Sequence, residues 1–331
     1  MKFYRKILGL KVKSINKKDV MKDKFGRKID YLRLSITDRC NLRCIYCHNG
    51  EFEKVEPSSV ISYEEIFALV SHLKNKGLRA VKITGGEPLL RKDITYCIEK
   101  LVEMDLEVSL TTNGTLLNEK AAELYEAGLR RINIGIDCLE KSLFSKLTGA
   151  DLYQKAVDGL NKSLEVGFDP VKINVVLIKG LNEEIDPWLK LAAEKEVCIR
   201  FIEVMPFVNG HKPVRCNEIK TRLKEMGKIK EISIQGRGPA EYFKVEGFRG
   251  TFGFISPVSS SFCSDCSRLR LNAQGQLRSC LFSPKTFNIR KVLRVDYSKE
   301  KLDSLIEEVL AKKPIDNKGL EPVENMCQIG G

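Results

Sequence analysis

The stretch "LRLSITDRCNLRCIYCHNG", residues 32–50, joins a short apolar run to three closely spaced cysteines, Cys40, Cys44 and Cys47. A run such as "LRLSIT" is typical of a buried β-strand, and the cysteines follow it on a polar loop. Outside disulfide-rich secreted domains, clustered cysteines indicate metal ligands. Two thiolates can begin a zinc site and four can close one. Three with no fourth nearby therefore indicate a metal centre with one open position.

Length, composition and charge exclude several classes of protein. The chain has 331 residues, 43 % of them apolar, which is enough for one large domain or two smaller ones. It contains no apolar run of about eighteen residues, so we expect no membrane span. The basic N-terminus lacks a secretory signal, so we expect a cytoplasmic protein with reduced thiols. The net charge of +12 favours an anionic partner. No basic run is interleaved with aromatic residues, so we expect a phosphorylated small molecule rather than nucleic acid.

Six short β-type runs recur between residues 31 and 205, separated by segments with helical periodicity. The runs are "YLRLSIT", "AVKITGG", "EVSLTTNG", "RINIGID", "VKINVVLIKG" and "CIRFIEVM". Repeated strand–helix units predict a parallel sheet with helices outside it. Ser62 and Glu65 form a capping box for a helix over residues 63–76. Asn118 precedes another helical stretch, which Gly128 ends.

Polar and glycine residues follow these strands, as in "TGGEP", "TTNG" and "GID". In parallel barrels such loops lie on the catalytic face. Six units are too few for a closed eight-stranded barrel, so residues 24–206 are predicted to form an α/β fold, a partial (β/α)6 TIM-like barrel. Residues 1–23 form a basic N-terminal extension. The pattern changes after residue 206, and we predict a C-terminal extension over residues 207–331.

A second cysteine set, Cys263, Cys266 and Cys280, lies in this extension and again offers three thiols. At the first set, the alternative to an iron–sulfur cluster is a zinc site completed by His48. His48 directly follows Cys47, which gives awkward geometry and favours the cluster. The other five cysteines are scattered and are predicted to be small core residues: Cys97, Cys138, Cys198, Cys216 and Cys327.

The C-x-x-x-C-x-x-C spacing of the first set resembles the signature of the radical S-adenosylmethionine (SAM) superfamily. "TGGEP", Thr84–Pro88, resembles that superfamily's second motif, and the aromatic Tyr46 inside C-x-x-C also matches. "FCSDCSRLRL…GQLRSCLF" resembles one family within it, the GTP 3',8-cyclases that begin molybdenum-cofactor biosynthesis. "DKFGRKIDYLRLSITDRCN", "RINIGID", "RFIEVM" and the terminal "GG" extend this resemblance from about Lys24 to Gly331.

The resemblance implies two [4Fe–4S] clusters, with SAM on the first and the guanine of GTP on the second. Residues carried over by motif position for SAM are Tyr46, Gly86, Gly135 and Met205. Residues carried over for GTP are Arg33, Lys82, Thr111, Lys172, Arg200, Arg268 and Arg270. The resemblance assigns catalytic roles to the first cysteine set, to Arg268 and Arg270, and to Gly330 and Gly331 in a tail that reaches the active site.

Two of the site residues depart from the family pattern. Gly135 stands where a serine commonly contacts SAM, so that contact is lost or replaced by water. Lys82 stands where the family has an arginine, which keeps the positive charge. Guanidinium and ammonium groups at these positions suit the negative charges of a triphosphate.

The implied reaction is that of a lyase. SAM is cleaved reductively to a 5'-deoxyadenosyl radical, which takes the hydrogen at C3' of GTP, and the ribose then attacks C8 of guanine. One alternative is another radical SAM enzyme with an auxiliary cluster, such as a peptide maturase. A second is a zinc- or iron–sulfur-stabilised nucleic-acid-binding or electron-transfer protein. The expected partners are GTP, an electron donor of unknown identity and, by product hand-off, a cyclic pyranopterin monophosphate synthase. A homodimer is left open.

Overall fold

The computed structural model describes residues 20–47, 55–205, 210–260, 262–295, 297–318 and 320. The chain divides into two compact units, each of which combines segments that are far apart in sequence. The first unit comprises Met1–Cys40, Phe52–Val108 and Cys263–Gly331, and the second comprises Asn41–Glu51 and Ser109–Phe262. All six predicted strands are present.

The strands, in chain order, are β1 (Tyr31–Ser35), β2 (Ala80–Thr84), β3 (Glu107–Thr112), β4 (Arg131–Gly135), β5 (Val171–Leu177), β6 (Cys198–Glu203), β7 (Ile229–Ile232), β8 (Glu241–Val245), β9 (Thr251–Ile255), β10 (Arg268–Leu271), β11 (Gln276–Arg278) and β12 (Phe287–Asn288). The helices are α1 (Tyr63–Asn75), α2 (Ile94–Glu103), α3 (Leu117–Glu126), α4 (Lys141–Thr148), α5 (Tyr153–Val166), α6 (Asp186–Glu194), α7 (Cys216–Met226), α8 (Ile289–Val295) and α9 (Lys299–Ala311).

The first unit contains strands in the order β12-β11-β10-β1-β2. Strands β10, β1 and β2 run parallel, whereas β11 and β12 are antiparallel additions. Arg33 on β1 pairs in register with Arg270 on one side and with Lys82 on the other. Leu32 and Leu34 point to the opposite face and are fully buried. Side chains alternate along a strand, so one face is apolar and the other carries a row of cations.

The second unit contains strands in the order β3-β4-β5-β6-β9-β8-β7. Strands β3 to β6 and β9 run parallel, and β8 and β7 continue the sheet antiparallel. Asn133 pairs with Thr111 on one side and Lys172 on the other, and Asn174 pairs with Arg200. Polar side chains therefore share one face of this sheet, while Ile132, Ile134, Ile173, Ile199 and Phe201 are buried on the other.

Of the two predicted helix starts, one is confirmed and the other is wrong. Ser62 caps α1, and its hydroxyl and the Glu65 carboxylate form the reciprocal capping box. The prediction that Asn118 precedes the next helix is wrong, because α3 begins at Leu117 and Leu116 provides no side-chain cap. A turn that starts at Gly114 leads into the helix instead, because the Leu117 amide donates to the Gly114 carbonyl at 3.0 Å.

The predicted division at residues 206 and 207 falls in a range, 206–209, that lies outside the described residues. The extension over residues 1–23 is described only from residue 20 onward. The two compact units place residues 210–260 with the second unit and residues 263–318 with the first. The predicted domain boundaries stay predictions. Among the described residues, no helix is long and apolar enough to cross a membrane.

Candidate active site

Burial divides the ten described cysteines into two groups. The six predicted metal ligands, from both sets, are all half-buried. The remaining four are buried: Cys97, Cys138, Cys198 and Cys216. Burial raises the pKa of the Cys97 thiol to about 12 and that of Cys138 to about 11. A thiolate is the form that binds metal, so these buried thiols are poor ligands. The prediction that the scattered cysteines are core residues is confirmed for the four, and Cys327 lies outside the described residues.

The "TGGEP" motif holds the segment that leads into the first cysteine set. The Gly86 amide donates to Thr37 O at 2.8 Å, and the Glu87 amide donates to Arg39 O at 2.7 Å. A Cβ added at Gly86 would lie 2.3 Å from Arg39 O. Only glycine permits this close approach. The motif thus fixes the backbone immediately before Cys40. This role does not depend on which ligand the backbone of the motif contacts.

Tyr46, inside the C-x-x-C, is fastened to the end of β4. Its hydroxyl donates to Asp137 Oδ2 at 2.5 Å, and Asp137 Oδ1 accepts from the Val176 amide at 2.8 Å. Burial raises the pKa of Asp137 to about 6, against the two hydrogen bonds that lower it. The aspartate of "GID" therefore positions the aromatic side chain of the cysteine loop, a role that the sequence analysis missed.

The cations of the first unit concentrate charge on one face of the β10–β1–β2 sheet. Arg270 is buried, while Arg33, Lys82 and Arg268 are half-buried. Burial, followed by the charges of Arg33 and Arg268, holds the pKa of Arg270 well below its usual range. Like charges placed together out of water destabilise the folded protein. Such a cluster is suited to an anion that carries several negative charges.

The second cysteine set adjoins the same cations. Burial opposes ionisation of Cys266, but the charges of Arg268 and Lys313 and the hydrogen bonds from Arg268 outweigh it and lower the pKa to about 7. The ammonium of Lys313 lies 3.5 Å from Cys266 Sγ. No sequence pattern marks Lys313, because a lysine just past a helix is typical of a surface residue.

Lys172 of the second unit is held beneath the connection between β7 and β8. Its Nζ donates to Gln235 O at 2.9 Å and to the Tyr242 hydroxyl at 3.3 Å, and it lies 5.0 Å from the Tyr242 ring centroid. Burial, and then the nearby charges of Arg200 and Arg131, lower the pKa of Lys172 to about 8. An anionic ligand would favour the charged form and so raise this pKa again.

Arg200 is oriented by two asparagines of neighbouring strands. Its Nη2 donates to Asn133 Oδ1 at 2.8 Å and to Asn174 Oδ1. Its Nε is buried and makes no hydrogen bond to any described residue. Asn133 also donates to Thr111 Oγ1 at 3.3 Å, which links a second predicted GTP contact to this network. Neither asparagine is marked by a motif in the sequence.

Four predicted site residues remain, and two of them lie within the described part of the chain. Gly135 ends β4, and a Cβ there would meet its nearest neighbour, Thr112 O, at 3.8 Å, so the position has room for the serine of the family pattern. Met205 is half-buried and is the last described residue before residue 210. Gly330 and Gly331 lie outside the described residues.

The donor chemistry of both cysteine sets fits an iron–sulfur cluster. Among the described residues, no three His, Cys, Asp or Glu side chains converge on a position for a single metal ion. Each thiolate of a [4Fe–4S] cluster binds a different iron atom, so such thiolates stand further apart than the ligands of one zinc ion. The zinc alternative depended on His48, which lies outside the described residues.

Two family models match consecutive parts of the chain. The model described as "Radical SAM superfamily" matches residues 34–192, and the model described as "Molybdenum Cofactor Synthesis C" matches residues 197–319. The first match contains both the cysteine loop and the "TGGEP" motif. The fold and the three-thiol loop thus define a radical SAM enzyme.

Comparison with relatives identifies one family among the radical SAM enzymes. "GTP 3',8-cyclase" of Thermodesulfovibrio yellowstonii is 42 % identical over 322 residues, which cover 94 % of this chain and 100 % of that protein. The protein of the same name from Listeria welshimeri is 42 % identical over 308 residues, 89 % of this chain and 91 % of its own length. The chain belongs to the GTP 3',8-cyclase family.

A solved structure supports the fold independently. Streptococcus suis SuiB bound to the precursor peptide SuiA matches with a TM-score of 0.63 and 16 % identity, covering 88 % of this chain and 67 % of that chain. The SAM-bound form of SuiB matches with a TM-score of 0.61. The predicted α/β fold class of the radical SAM type is confirmed. The likeness concerns the fold alone.

The close approach at Gly86 generates a stability prediction. Gly86→Ala is expected to lower the free energy of unfolding by about 1–3 kcal/mol, because the new methyl group overlaps the Arg39 carbonyl. Gly135→Ala is the matched control and is expected to change it by less than about 0.5 kcal/mol. Urea unfolding of the iron-free protein measures both. Equal stability of the two variants would contradict the structure at this motif.

Proposed function

We propose that this chain converts GTP to (8S)-3',8-cyclo-7,8-dihydroguanosine 5'-triphosphate, the first step of molybdenum-cofactor biosynthesis. The observation that carries the proposal is the row Arg270–Arg33–Lys82 across three parallel strands, with Arg268 beside it and a three-thiol set immediately adjoining. Burial and mutual repulsion make this cluster of cations unfavourable by itself, and the negative charges of a triphosphate would offset that. The identity of about 42 % to proteins named for this reaction supports the same substrate.

The cysteine sets fit the two clusters that the reaction requires. Cys40, Cys44 and Cys47 would hold the cluster that binds SAM, and Cys263, Cys266 and Cys280 would hold the second. When bound, the first cluster and SAM supply the one-electron chemistry that removes a hydrogen atom from substrate. The C3'–C8 bond then replaces the C3'–H bond, and one electron and one proton return to the purine.

The chain's own residues bind and orient the substrate. Arg33, Lys82, Arg268 and Arg270 would neutralise phosphate oxygens, which fixes the nucleotide without any change in its chemistry. Arg200 is held in a single orientation by Asn133 and Asn174, so its fork is pre-organised for an anion. Lys172 would exchange its bond to the Gln235 carbonyl for one to substrate.

The reaction is tested with GTP deuterated at C3', supplied with SAM and a strong reductant to anaerobically reconstituted protein. Mass spectrometry of the 5'-deoxyadenosine is expected to find the deuterium. 5'-Deoxyadenosine without deuterium would overturn GTP as the substrate and favour the peptide-maturase alternative. A protein that holds zinc and forms no 5'-deoxyadenosine would favour the non-enzymatic alternative.

Arg33 offers a clean test of the proposed phosphate site, because the Arg268 side chain also hydrogen-bonds Cys266. Arg33→Ala is expected to lower kcat/KM for GTP by about tenfold to a hundredfold, the loss of one charge-assisted contact. Iron content is expected to stay unchanged. Arg79→Ala, an exposed arginine of the same unit, is the control. Equal kinetics for the two variants would remove Arg33 from the site.

Lys172 predicts a pH dependence of GTP binding. Its pKa is lowered to about 8, so in the free protein the ammonium loses its proton as the pH rises through that value. A bound phosphate favours the charged form. The Kd for GTP is therefore expected to rise between pH 7 and 9, by at most about tenfold per pH unit. Lys172→Arg is expected to flatten this profile. A flat profile in the unaltered protein would contradict the role.

We also propose two partners besides GTP, an enzyme that receives the product and an electron donor. The product, a cyclised nucleoside triphosphate, is a substrate for a cyclic pyranopterin monophosphate synthase, to which we propose that it is handed. The electron donor is a one-electron reductant whose identity the chain does not specify.

A further inference from the structure

Lys313 lies just after α9, and its side chain turns into the first unit rather than toward solvent. The residue is only 1 % exposed. Its Nζ donates to Ser279 O at 2.7 Å, to Arg268 O at 2.8 Å and to Cys266 Sγ at 3.5 Å. An ammonium group has three N–H donors, and all three are engaged.

These three acceptors belong to the second cysteine set and its immediate surroundings. Ser279 directly precedes Cys280, and Arg268 begins β10 two residues after Cys266. One side chain therefore ties together the two chain segments that carry the set. Because the segments are fixed by a buried group, the spacing between Cys266 and Cys280 does not depend on the cluster alone.

The burial of this lysine needs a negative partner. A buried ammonium is costly when its acceptors are only neutral carbonyls. Cys266 becomes a thiolate when it binds iron, and the Lys313–Cys266 contact is then a charge-assisted hydrogen bond. The position thus suits a metal-bound sulfur better than a core thiol.

The segment that follows Lys313 is fastened to the same cysteines. Arg27 donates from Nη1 to Cys263 O at 2.6 Å and to Ile315 O at 2.9 Å, and from Nη2 to Pro314 O at 2.5 Å. Cys263 Sγ lies 3.6 Å from Asn317 Oδ1. Residues 313–317 therefore form an outer layer around Cys263 and Cys266, and Arg27 holds that layer in place.

We propose that Lys313 is a positioning residue of the second cysteine set, which holds Cys266 and the backbone around Cys280 and makes the cluster bound there easier to reduce. The inference rests on the second cluster of the proposed function. Hydrogen bonds and positive charge at cluster sulfurs stabilise the reduced, more negative state, and such outer contacts tune iron–sulfur potentials.

The test uses the full chain with Cys40, Cys44 and Cys47 replaced by alanine, so that any cluster bound belongs to the second set. Anaerobic reconstitution, iron analysis and a redox titration followed by electron paramagnetic resonance give its content and potential. In this parent, Lys313→Met is expected to disfavour one-electron reduction about tenfold, which is about 59 mV toward more negative potential. The matched control is Lys312→Met, the same change at the exposed neighbouring lysine.

Two further measurements separate the outcomes. Thermal unfolding of the iron-free proteins shows whether Lys313→Met folds. If it does not fold, the same titration is carried out on Lys313→Gln, because its amide can still donate to two carbonyls. The potential of this variant is also expected to shift toward more negative values. A parent that binds no iron would overturn the second cluster, and with it this role of Lys313. A parent that binds iron with one potential in all folded variants would overturn the role of Lys313 alone.

Discussion

The register of three parallel strands in the first unit is the constraint on which the candidate site depends. Arg33 pairs with Arg270 and with Lys82, so strand alternation places all three on one face and their aliphatic neighbours on the other. A shift of one residue in either pairing would bury cations among leucines. The apolar face therefore fixes the cation row, and core packing offsets the burial and the repulsion that together lower the pKa of Arg270. Like charges held together on this face lower stability, which is consistent with the anion site proposed above.

Local sequence predicted the elements well, because their signals are local. Period-two and helical patterns identified all six strands of residues 31–205, and the capping box identified the start of α1. Pairing between distant segments was not predictable. Strand β10 runs beside β1, and the apolar runs of the two strands contain nothing that specifies each other as partners. The prediction of where α3 starts was wrong for a related reason, because a turn at Gly114 rather than a side-chain cap begins this helix.

In the candidate site, too, the features with a local sequence signal were predictable and those set by tertiary packing were not. Cysteine spacing is a local signal, and the six thiols that it marked are the half-buried ones. The groups that orient them are set by tertiary packing. Lys312 and Lys313 are neighbours of one type in "AKKPID", yet the first is exposed and the second buried against Cys266. Asp137 likewise acts on Tyr46, a residue distant in sequence, through a hydrogen bond that no local pattern encodes. Residue type and spacing locate the chemistry, whereas its positioning requires the folded chain.

Ten described cysteines raise the question of how iron would find only six of them. The structure answers through ionisation as well as access. Burial raises the pKa of the Cys97, Cys138, Cys198 and Cys216 thiols, so these remain protonated and inaccessible at neutral pH. At Cys266, burial acts in the same direction, but Arg268 and Lys313 reverse its effect and bring the pKa to about 7. In the proposed function the cations beside the second set would serve two purposes, because the charge that suits a triphosphate also favours the thiolate that would bind iron.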